Sequence, residues 1–369
     1  MGTYLNALRT ALEGDWLAAR SEAESFLQEL LTRIADGGGV ELPGAGPAPL
    51  DAPVPDGKIL IPTGGTSGAP RYAVHTWESL CNAAENLAAR IGGPIHSCCI
   101  LPLHHVSGFM QVVRALATGG RLHLPDHRQL DVDPRGMCLS LVPTQLGRFL
   151  EQHQMVEKLQ QFRMIFLGGA GASKDLLDKA RELRLPLAPC YGMTETAAMV
   201  TLLEPSEFLA GKEGCGTALP NSEVCIQDGR IQIHANSLFE GYWPNDKHDG
   251  PWLETQDSGF LDKDGHLHVT GRLDRIIVTG GEKVDPAEVE AALLEQPGVH
   301  EALVLGIEDP DWGQRVVAFI VGGRKDLLDC LRSTLPPHKV PKEMRYSEQL
   351  PLKINGKIDW NQVGRKGAE

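Results

Sequence analysis

The sequence predicts an α/β protein. A large N-terminal domain of mostly parallel sheet with crossover helices and a β-rich part precedes a small C-terminal α+β domain. Apolar runs at 58–62, 98–103, 121–125, 138–142, 163–167 and 186–190 have the length and composition of buried strands. Helical patterns at 77–90, 107–118, 143–151 and 173–184 lie between several of them, and that alternation builds parallel sheets. After about residue 220 the pattern changes to short alternating strands, such as Arg230 to His234 and His266 to Val269.

The remaining elements follow in order. Trp16, Ala19, Ala23, Phe26, Leu27, Leu30, Leu31 and Ile34 recur at helical spacing, predicting a helix over 15–35 that Gly37 to Gly39 end. Eleven of the twenty-one residues from 37 to 57 are Gly or Pro, so this stretch reads as an irregular connector. Thr76 is a natural N-cap for the helix at 77. Beyond the short strands come a strand at 274–279, a helix at 286–296, strands at 299–306 and 315–322 and a helix at 325–335. Asp285, Pro286 and Glu288 make a clear start for the first of these helices. The expected domains are therefore 1–57 (N-terminal helix and connector), 58–273 and 274–369, with no internal repeats.

Composition narrows the function. The 369 residues are 42% hydrophobic and 22% charged, as in a soluble globular protein. A dispersed net charge of −13 argues against nucleic acid or an anionic membrane as partner. No segment approaches the run of about twenty apolar residues that a membrane helix needs. Met1 to Thr10 lacks the apolar core of a secretory signal. The eight cysteines include no Cys-x-x-Cys pair and read as reduced, buried thiols, so a cytoplasmic location is expected.

Several segments can carry chemistry. Thr63-Gly64-Gly65-Thr66-Ser67-Gly68-Ala69-Pro70-Arg71 concentrates glycines, hydroxyls and a cation directly after an apolar run. Backbone N–H groups freed by glycine, with hydroxyls and a guanidinium, suit a polyphosphate, although the spacing is not that of a P-loop and the same residues make ordinary turns. Tyr191-Gly192-Met193-Thr194-Glu195 follows a buried strand. There Tyr191 can stack on a base, Thr194 can bond a phosphate and Glu195 can hold Mg²⁺; alternatively Thr194 caps a helix. Gly168-Gly169-Ala170 leaves room for a flat ligand or makes a tight turn.

His105, with Ser107 and Gly108, follows another strand and can orient a carboxylate, or serve as a core or capping histidine. Arg114 lies within an apolar helix and needs a partner, either a substrate carboxylate or a structural Asp or Glu. Asp257 can accept two ribose hydroxyls or belong to an Asp-Ser-Gly turn. Arg272 is a further cation at the proposed junction, and Gly280-Gly281 beside Lys283 permits close backbone approach. Lys357 follows Asn355-Gly356 on an expected turn, where a lysine is usually solvated.

Taken in this order, these segments resemble those of the adenylate-forming superfamily: acyl- and aryl-CoA synthetases, luciferases and peptide-synthetase adenylation domains. Within it the likeness is to the o-succinylbenzoate–CoA ligases, carried by Pro102 to Gly108 with Arg114, by Ser140 to Leu146 with Thr144, and by Gly271 to Glu290. The resemblance implies ATP and coenzyme A as cosubstrates with Mg²⁺. It implies that Lys357 bridges the carboxylate and α-phosphate, that Thr63 to Arg71 hold the β- and γ-phosphates, and that Glu195 with Thr194 and Thr66 manages Mg²⁺ and phosphate.

It further implies that Asp257 and Arg272 hold the ribose, and Tyr191 with Gly168 to Ala170 the adenine. His105, Ser107, Gly108, Arg114 and Thr144 would hold the acid, and Gly280, Gly281 and Lys283 would meet coenzyme A after a swivel about Asp274. The chain departs from the family pattern in three ways. Arg71 stands where Lys is usual, Gln256 stands where Gly is usual, and 62 residues precede Thr63, fewer than in typical members. Other readings are a ligase for another aryl or acyl acid, a carrier-loading adenylation enzyme, or a nucleotide-binding protein without catalysis. The oligomeric state stays open.

Overall fold

The computed structural model describes residues 2–13, 17–18, 21–42, 53–63, 71–126, 130–244, 246–323, 327–351 and 363. The chain divides into two compact units. One comprises residues 1–225, 232–253 and 261–268, and the other 226–231, 254–260 and 269–369.

The first unit is built on an eight-stranded sheet of β1 (Leu17–Ala18), β5 (His96–Cys98), β6 (Leu122–His123), β7 (Met137–Leu141), β8 (Met164–Leu167), β9 (Leu187–Met193), β10 (Ala198–Leu202) and β11 (Thr217–Ala218), in the order β1-β6-β5-β7-β8-β9-β10-β11. Pairing is parallel as far as β9 and antiparallel from there to β11. Successive residues of the parallel strands face opposite layers. Leu139, Leu141, Ile165, Leu167 and Leu187 meet the layer of α5 (Pro143–Leu150), α6 (His153–Leu159) and α7 (Lys174–Glu182). Cys138, Met164, Phe166 and Ala188 share a cluster with Leu87 of α3 (Trp77–Ile91). Such burial on both faces is why these strands read as continuous apolar runs.

α1 (Gly2–Leu12) and α2 (Ser21–Ala35) join α3 and α4 (Val106–Thr118) in the largest apolar cluster, where Leu27, Leu31, Leu80 and Phe109 are fully enclosed. Each such side chain contributes roughly 1.5–3 kcal/mol relative to exposure. Thr76 does cap α3: its hydroxyl accepts the Ser79 N–H at 3.1 Å, and Ser79 Oγ accepts the Thr76 N–H at 3.2 Å. A short helix, α8 (Pro205–Leu209), follows β10.

A second sheet in this unit has the order β15-β14-β4-β3-β2, with β2 (Val40–Glu41), β3 (Ile59–Pro62), β4 (Tyr72–His75), β14 (Gly241–Trp243) and β15 (Asp246–Lys247). A four-stranded sheet has the order β12 (Ser222–Gln227), β13 (Arg230–Ala235), β16 (Leu253–Leu261) and β17 (Leu267–Arg272). The second unit holds β18 (Ile277–Thr279), β19 (Glu282–Val284), α9 (Pro286–Leu294), β20 (Val299–Asp309), β21 (Gly313–Gly322), α10 (Leu327–Thr334) and β22 (Glu343–Ser347). Its core gathers Ile277, Val284, Val289, Leu293, Val304, Val316 and Leu331. Asp285 caps α9 by accepting the Ala287 N–H at 2.9 Å.

Several expectations need correction. The run at 58–62 is not a strand of the parallel sheet. β3 pairs antiparallel with β4, Ile59 opposite His75 and Pro62 opposite Tyr72, in the other sheet. The helix expected over 15–35 starts at Ser21, because Leu17–Ala18 pairs with β6. The connector contains β2, which runs parallel to β3. β5 stops at Cys98, so the strand expected over 98–103 is mostly turn.

Candidate active site

Adjacent strands bring separate segments together. β5, β7, β8 and β9 are neighbours, with Leu141 opposite Leu167 and Leu167 opposite Pro189. Their carboxyl ends lead into the histidine segment and α4, into Val142 to Thr144, into Gly168 to Ala170, and through Tyr191 to Glu195. Ligands of open α/β sheets bind at that edge. Gly169 and Ala170 are exposed, Gly168 is half-buried beside Cys190, and Thr144 is exposed.

α4 is enclosed on nearly every side, since Phe109, Met110, Val112, Val113, Ala115 and Leu116 are all buried. Gly108 lets it approach closely, because a Cβ there would lie 2.2 Å from the Pro102 carbonyl oxygen. Arg114 is thereby carried into the interior, 3% exposed, its guanidinium 5.5 Å from the centre of the Phe166 ring. Its Nε is buried with no hydrogen-bond partner, and among the described residues no carboxylate pairs with it. Among the described residues no structural Asp or Glu, the alternative weighed above, takes that place.

Burial pulls the Arg114 pKa down, against smaller opposing contributions from the neighbouring thiols of Cys190, Cys138 and Cys99. Burial pushes those thiols up to about 12, 11 and 12, so none supplies an anion. An unpartnered buried cation is costly unless something else satisfies it. His105 occupies the cap position of α4 without a side-chain cap bond, and its ring centre lies 4.4 Å from that of His104. Ser107 stands in the first turn of the same helix.

The pentapeptide is placed differently from expectation. Tyr191, Gly192 and Met193 belong to β9, which turns back antiparallel into β10. Tyr191 is 9% exposed, and Gly192 is pressed so tightly that a Cβ would lie 1.9 Å from the Ala198 carbonyl oxygen. Thr194 caps no helix. It opens a 3₁₀ turn, Thr194–Thr196, whose cap position is Met193. Three consecutive carbonyls of that turn are clamped. His75 Nε2 lies 2.8 Å from the Thr194 oxygen, the Phe239 N–H donates to Glu195 O at 2.9 Å, and Ser237 Oγ donates to Thr196 O at 3.1 Å. Ala197 and Ala198 follow in the left-handed region, φ 54° and 75°, a conformation the clamp must hold against its cost.

The clamp connects this turn to the sheet that carries the glycine-rich segment. That segment closes the β3–β4 hairpin. The Thr63 N–H and hydroxyl both bond the Arg71 carbonyl, at 2.8 and 3.0 Å. Gly64, Gly65, Thr66, Ser67 and Gly68 lie outside the described residues, as does Lys357. Arg71 sits over the Tyr242 ring, 4.1 Å from its centre, and the Tyr242 hydroxyl donates to Glu195 Oε1 at 2.6 Å. Tyr242, His75 and Ser237 were not singled out in the sequence. Gly241-Tyr242-Trp243-Pro244 was the one available signal, an aromatic cluster with no apolar run around it.

In the second unit Asp257 and Arg272 come together. Arg272 Nη1 lies 3.1 Å from Asp257 Oδ1, and Nε and Nη2 each reach an Asp274 oxygen at 2.8 Å. Asp257 does not stand in a turn. It lies on the buried face of β16, 6% exposed, and exposed Gln256 faces the other way. The side chain that replaces the usual glycine therefore does not enter the Asp257 face. Gly280 and Gly281, φ 58° and 85°, make the two-residue turn between β18 and β19 that requires positive φ at both positions. Trp312 lies against Gly280, where a Cβ would meet the ring at 3.0 Å, and Lys283 is exposed.

The chain as a whole is similar to known proteins. The AMP-binding enzyme family model matches residues 14–243, and the AMP-binding enzyme C-terminal domain model matches residues 288–357. The chain belongs to the AMP-binding enzymes. Relatives include the 2-succinylbenzoate–CoA ligase of Listeria monocytogenes serotype 4b, 31% identical over 98% of this chain and 82% of its own length. The enzyme of the same name from Geobacillus kaustophilus is 32% identical over 81% of this chain and 67% of its own.

Among solved structures, o-succinylbenzoate CoA synthetase from Bacillus subtilis in complex with the acyl-adenylate intermediate has TM-score 0.72 and 29% identity. It covers 84% of this chain and 70% of its own. The Bacillus subtilis enzyme in complex with ATP and magnesium ion has TM-score 0.70 and 25% identity, over 99% and 82% of the two chains. No helix among the described residues is long and apolar enough to cross a membrane.

Proposed function

We propose that this protein activates o-succinylbenzoate as its acyl-adenylate and transfers the acyl group to coenzyme A, within menaquinone or phylloquinone biosynthesis in the cytoplasm. In the first step a carboxylate oxygen attacks the α-phosphorus of ATP. A carbon-bound O–P bond forms, the bond to the β-phosphate oxygen breaks, and pyrophosphate leaves. In the second step the thiolate of coenzyme A attacks the acyl carbon, forming C–S and releasing AMP. Two anions must meet in the first step, so positive groups are the main catalytic device.

The Arg114 guanidinium, buried and without an anionic partner, carries the choice of acid. o-Succinylbenzoate has one carboxylate to activate and one to spare, and the spare group would give Arg114 the countercharge it lacks. His105, Ser107, Gly108 and Thr144 stand at the same sheet edge and are assigned to the acid. Tyr191, Gly192, Met193 and Gly168 to Ala170 are assigned to the adenine, and Asp257 with Arg272 to the ribose. Thr63 to Arg71 and Thr194 are assigned to the phosphates, and Lys357 to the bridge between carboxylate and α-phosphate. Gly280, Gly281 and Lys283 are assigned to coenzyme A, with Asp274 as the hinge of a domain spanning 274–369.

Glu195 fits Mg²⁺. Among the described residues its carboxylate receives only the Tyr242 hydroxyl, which leaves Oε2 open as a hard oxygen ligand. No cluster of three or more His, Cys, Asp or Glu among the described residues could hold a metal by itself, so the ion would arrive on the nucleotide phosphates. Bound there, it would neutralise developing phosphate charge.

The test is pyrophosphate release from ATP with a panel of carboxylic acids, with and without coenzyme A. Release is expected with o-succinylbenzoate, with thioester formed only when coenzyme A is present. A chain that turns over aryl monocarboxylates as efficiently, or no acid at all, contradicts the assignment.

A further inference from the structure

Arg71 and Glu195 carry opposite charges and touch the same side chain, yet neither makes an ion pair among the described residues. Tyr242 separates them. β14 pairs with β4 so that Tyr242 stands opposite Ala73 and Trp243 opposite Tyr72, which places the phenol beside the start of β4, where Arg71 ends the glycine-rich segment. From the other side Tyr242 reaches the 3₁₀ turn, itself clamped by the Phe239 N–H. Phe239 fixes the phenol with an edge contact, ring centres 4.9 Å apart at 74°, and stacks on His248 at 5.4 Å.

We propose that Tyr242 is a positioning residue for the phosphate end of the nucleotide, its ring seating the Arg71 guanidinium and its hydroxyl holding the Glu195 carboxylate. This rests on the reading that Arg71 and Glu195 serve the triphosphate and its metal. An arginine over a ring is attracted by the ring face, while its N–H donors stay able to meet phosphate oxygens. A long cationic side chain otherwise loses considerable rotamer entropy on ordering, so a seat formed before nucleotide arrives strengthens binding. Lysine would bring a compact, strongly hydrated ammonium that gains less from such a seat, and the ring therefore accounts for arginine at the usual lysine position.

The phenol also keeps two opposite charges from neutralising each other, so that each remains available to its own ligand.

The full chain tests this by calorimetric titration with ATP and with AMP, with and without Mg²⁺. In Tyr242→Leu, ATP affinity is expected to fall about three- to tenfold while AMP affinity stays within about twofold. Arg71→Ala should lower ATP affinity in the native background and add little on top of Tyr242→Leu. Tyr242→Phe keeps the ring, so metal-free ATP affinity should hold while the gain from Mg²⁺ shrinks.

Equal loss of ATP and AMP affinity in Tyr242→Leu, or fully additive losses with Arg71→Ala, overturns the proposal and leaves the phosphate role of Arg71 standing. An unchanged ATP-to-AMP ratio in Arg71→Ala overturns that underlying role and the proposal with it. Should Tyr242→Leu fail to fold, an unaltered Mg²⁺ gain in Tyr242→Phe still overturns the hydroxyl's part.

Discussion

Replacing Arg114 by Met should move stability and substrate use in opposite directions. The guanidinium is 3% exposed, its Nε lacks a partner among the described residues, the nearby thiols are neutral, and the Phe166 ring lies 5.5 Å away. A buried cation so poorly satisfied opposes folding, and an apolar side chain of similar length should raise stability by roughly 1–4 kcal/mol. In the complex the same cation would meet a carboxylate. Truncating one partner of such a buried pair costs about 2–5 kcal/mol, or roughly 30- to several-thousand-fold.

The expected result for Arg114→Met is a higher melting temperature for the free protein and a fall of at least thirtyfold in kcat/KM for o-succinylbenzoate, mostly through KM. An analogue lacking the spare carboxylate should react equally with both proteins. Calorimetric melting and steady-state pyrophosphate release measure the two halves. An unchanged KM for the dicarboxylate, or a melting temperature that falls, refutes the reasoning.

Other consequences follow from the same geometry. His75 is fully enclosed, and burial holds its pKa down to about 4 against an ordinary 6.5. Below pH 6.5 the unfolded chain takes up a proton that the folded chain refuses, so stability present above 6.5 is lost as pH falls towards 4, by about 3 kcal/mol. His75→Gln should flatten that decline in unfolding measured from pH 7 to 4.5; an identical pH dependence would show that His75 is not the group. Gly192→Ala would drive a methyl into the Ala198 carbonyl, and a loss of about 1–3 kcal/mol with collapse of ATP binding is expected. Native-like melting with native affinity contradicts that. Lys357→Ala should slow adenylation by two or more orders of magnitude while thioester formation from supplied acyl-adenylate survives, and equal loss in both half-reactions contradicts the role given to it.

Much of this arrangement can be read in the residues. The strands β7, β8 and β9 sit where buried apolar runs place them because both faces of the parallel sheet are covered. Thr76 and Asp285 cap helices as their residue types suggest, since a capping bond is a local interaction. What escapes is non-local. Nothing in Ile59 to Pro62 distinguishes a strand of the parallel sheet from one in an antiparallel hairpin, because both are apolar and the segment joining it to β4 is longer than a common hairpin loop.

The same holds for the site. Arg114 stands out as a cation within an apolar helix and Glu195 by its place after a buried strand, whereas Asp257, in a polar Asp-Ser-Gly run, is weak by itself. Tyr242 and His75 matter through partners 47 and 119 residues away, and no spacing encodes such pairing. Arg114 shows the converse: the cation is evident in the sequence, and only its surroundings reveal that among the described residues no carboxylate pairs with it.

Oxygen-18 in both carboxylates of o-succinylbenzoate tests the central claim most directly. Attack on the α-phosphorus followed by thiol displacement sends one labelled oxygen per turnover into the phosphate of AMP. Mass spectrometry of the products should find that label in AMP and none in pyrophosphate. Unlabelled AMP formed alongside the thioester would contradict an acyl-adenylate and the account built on it.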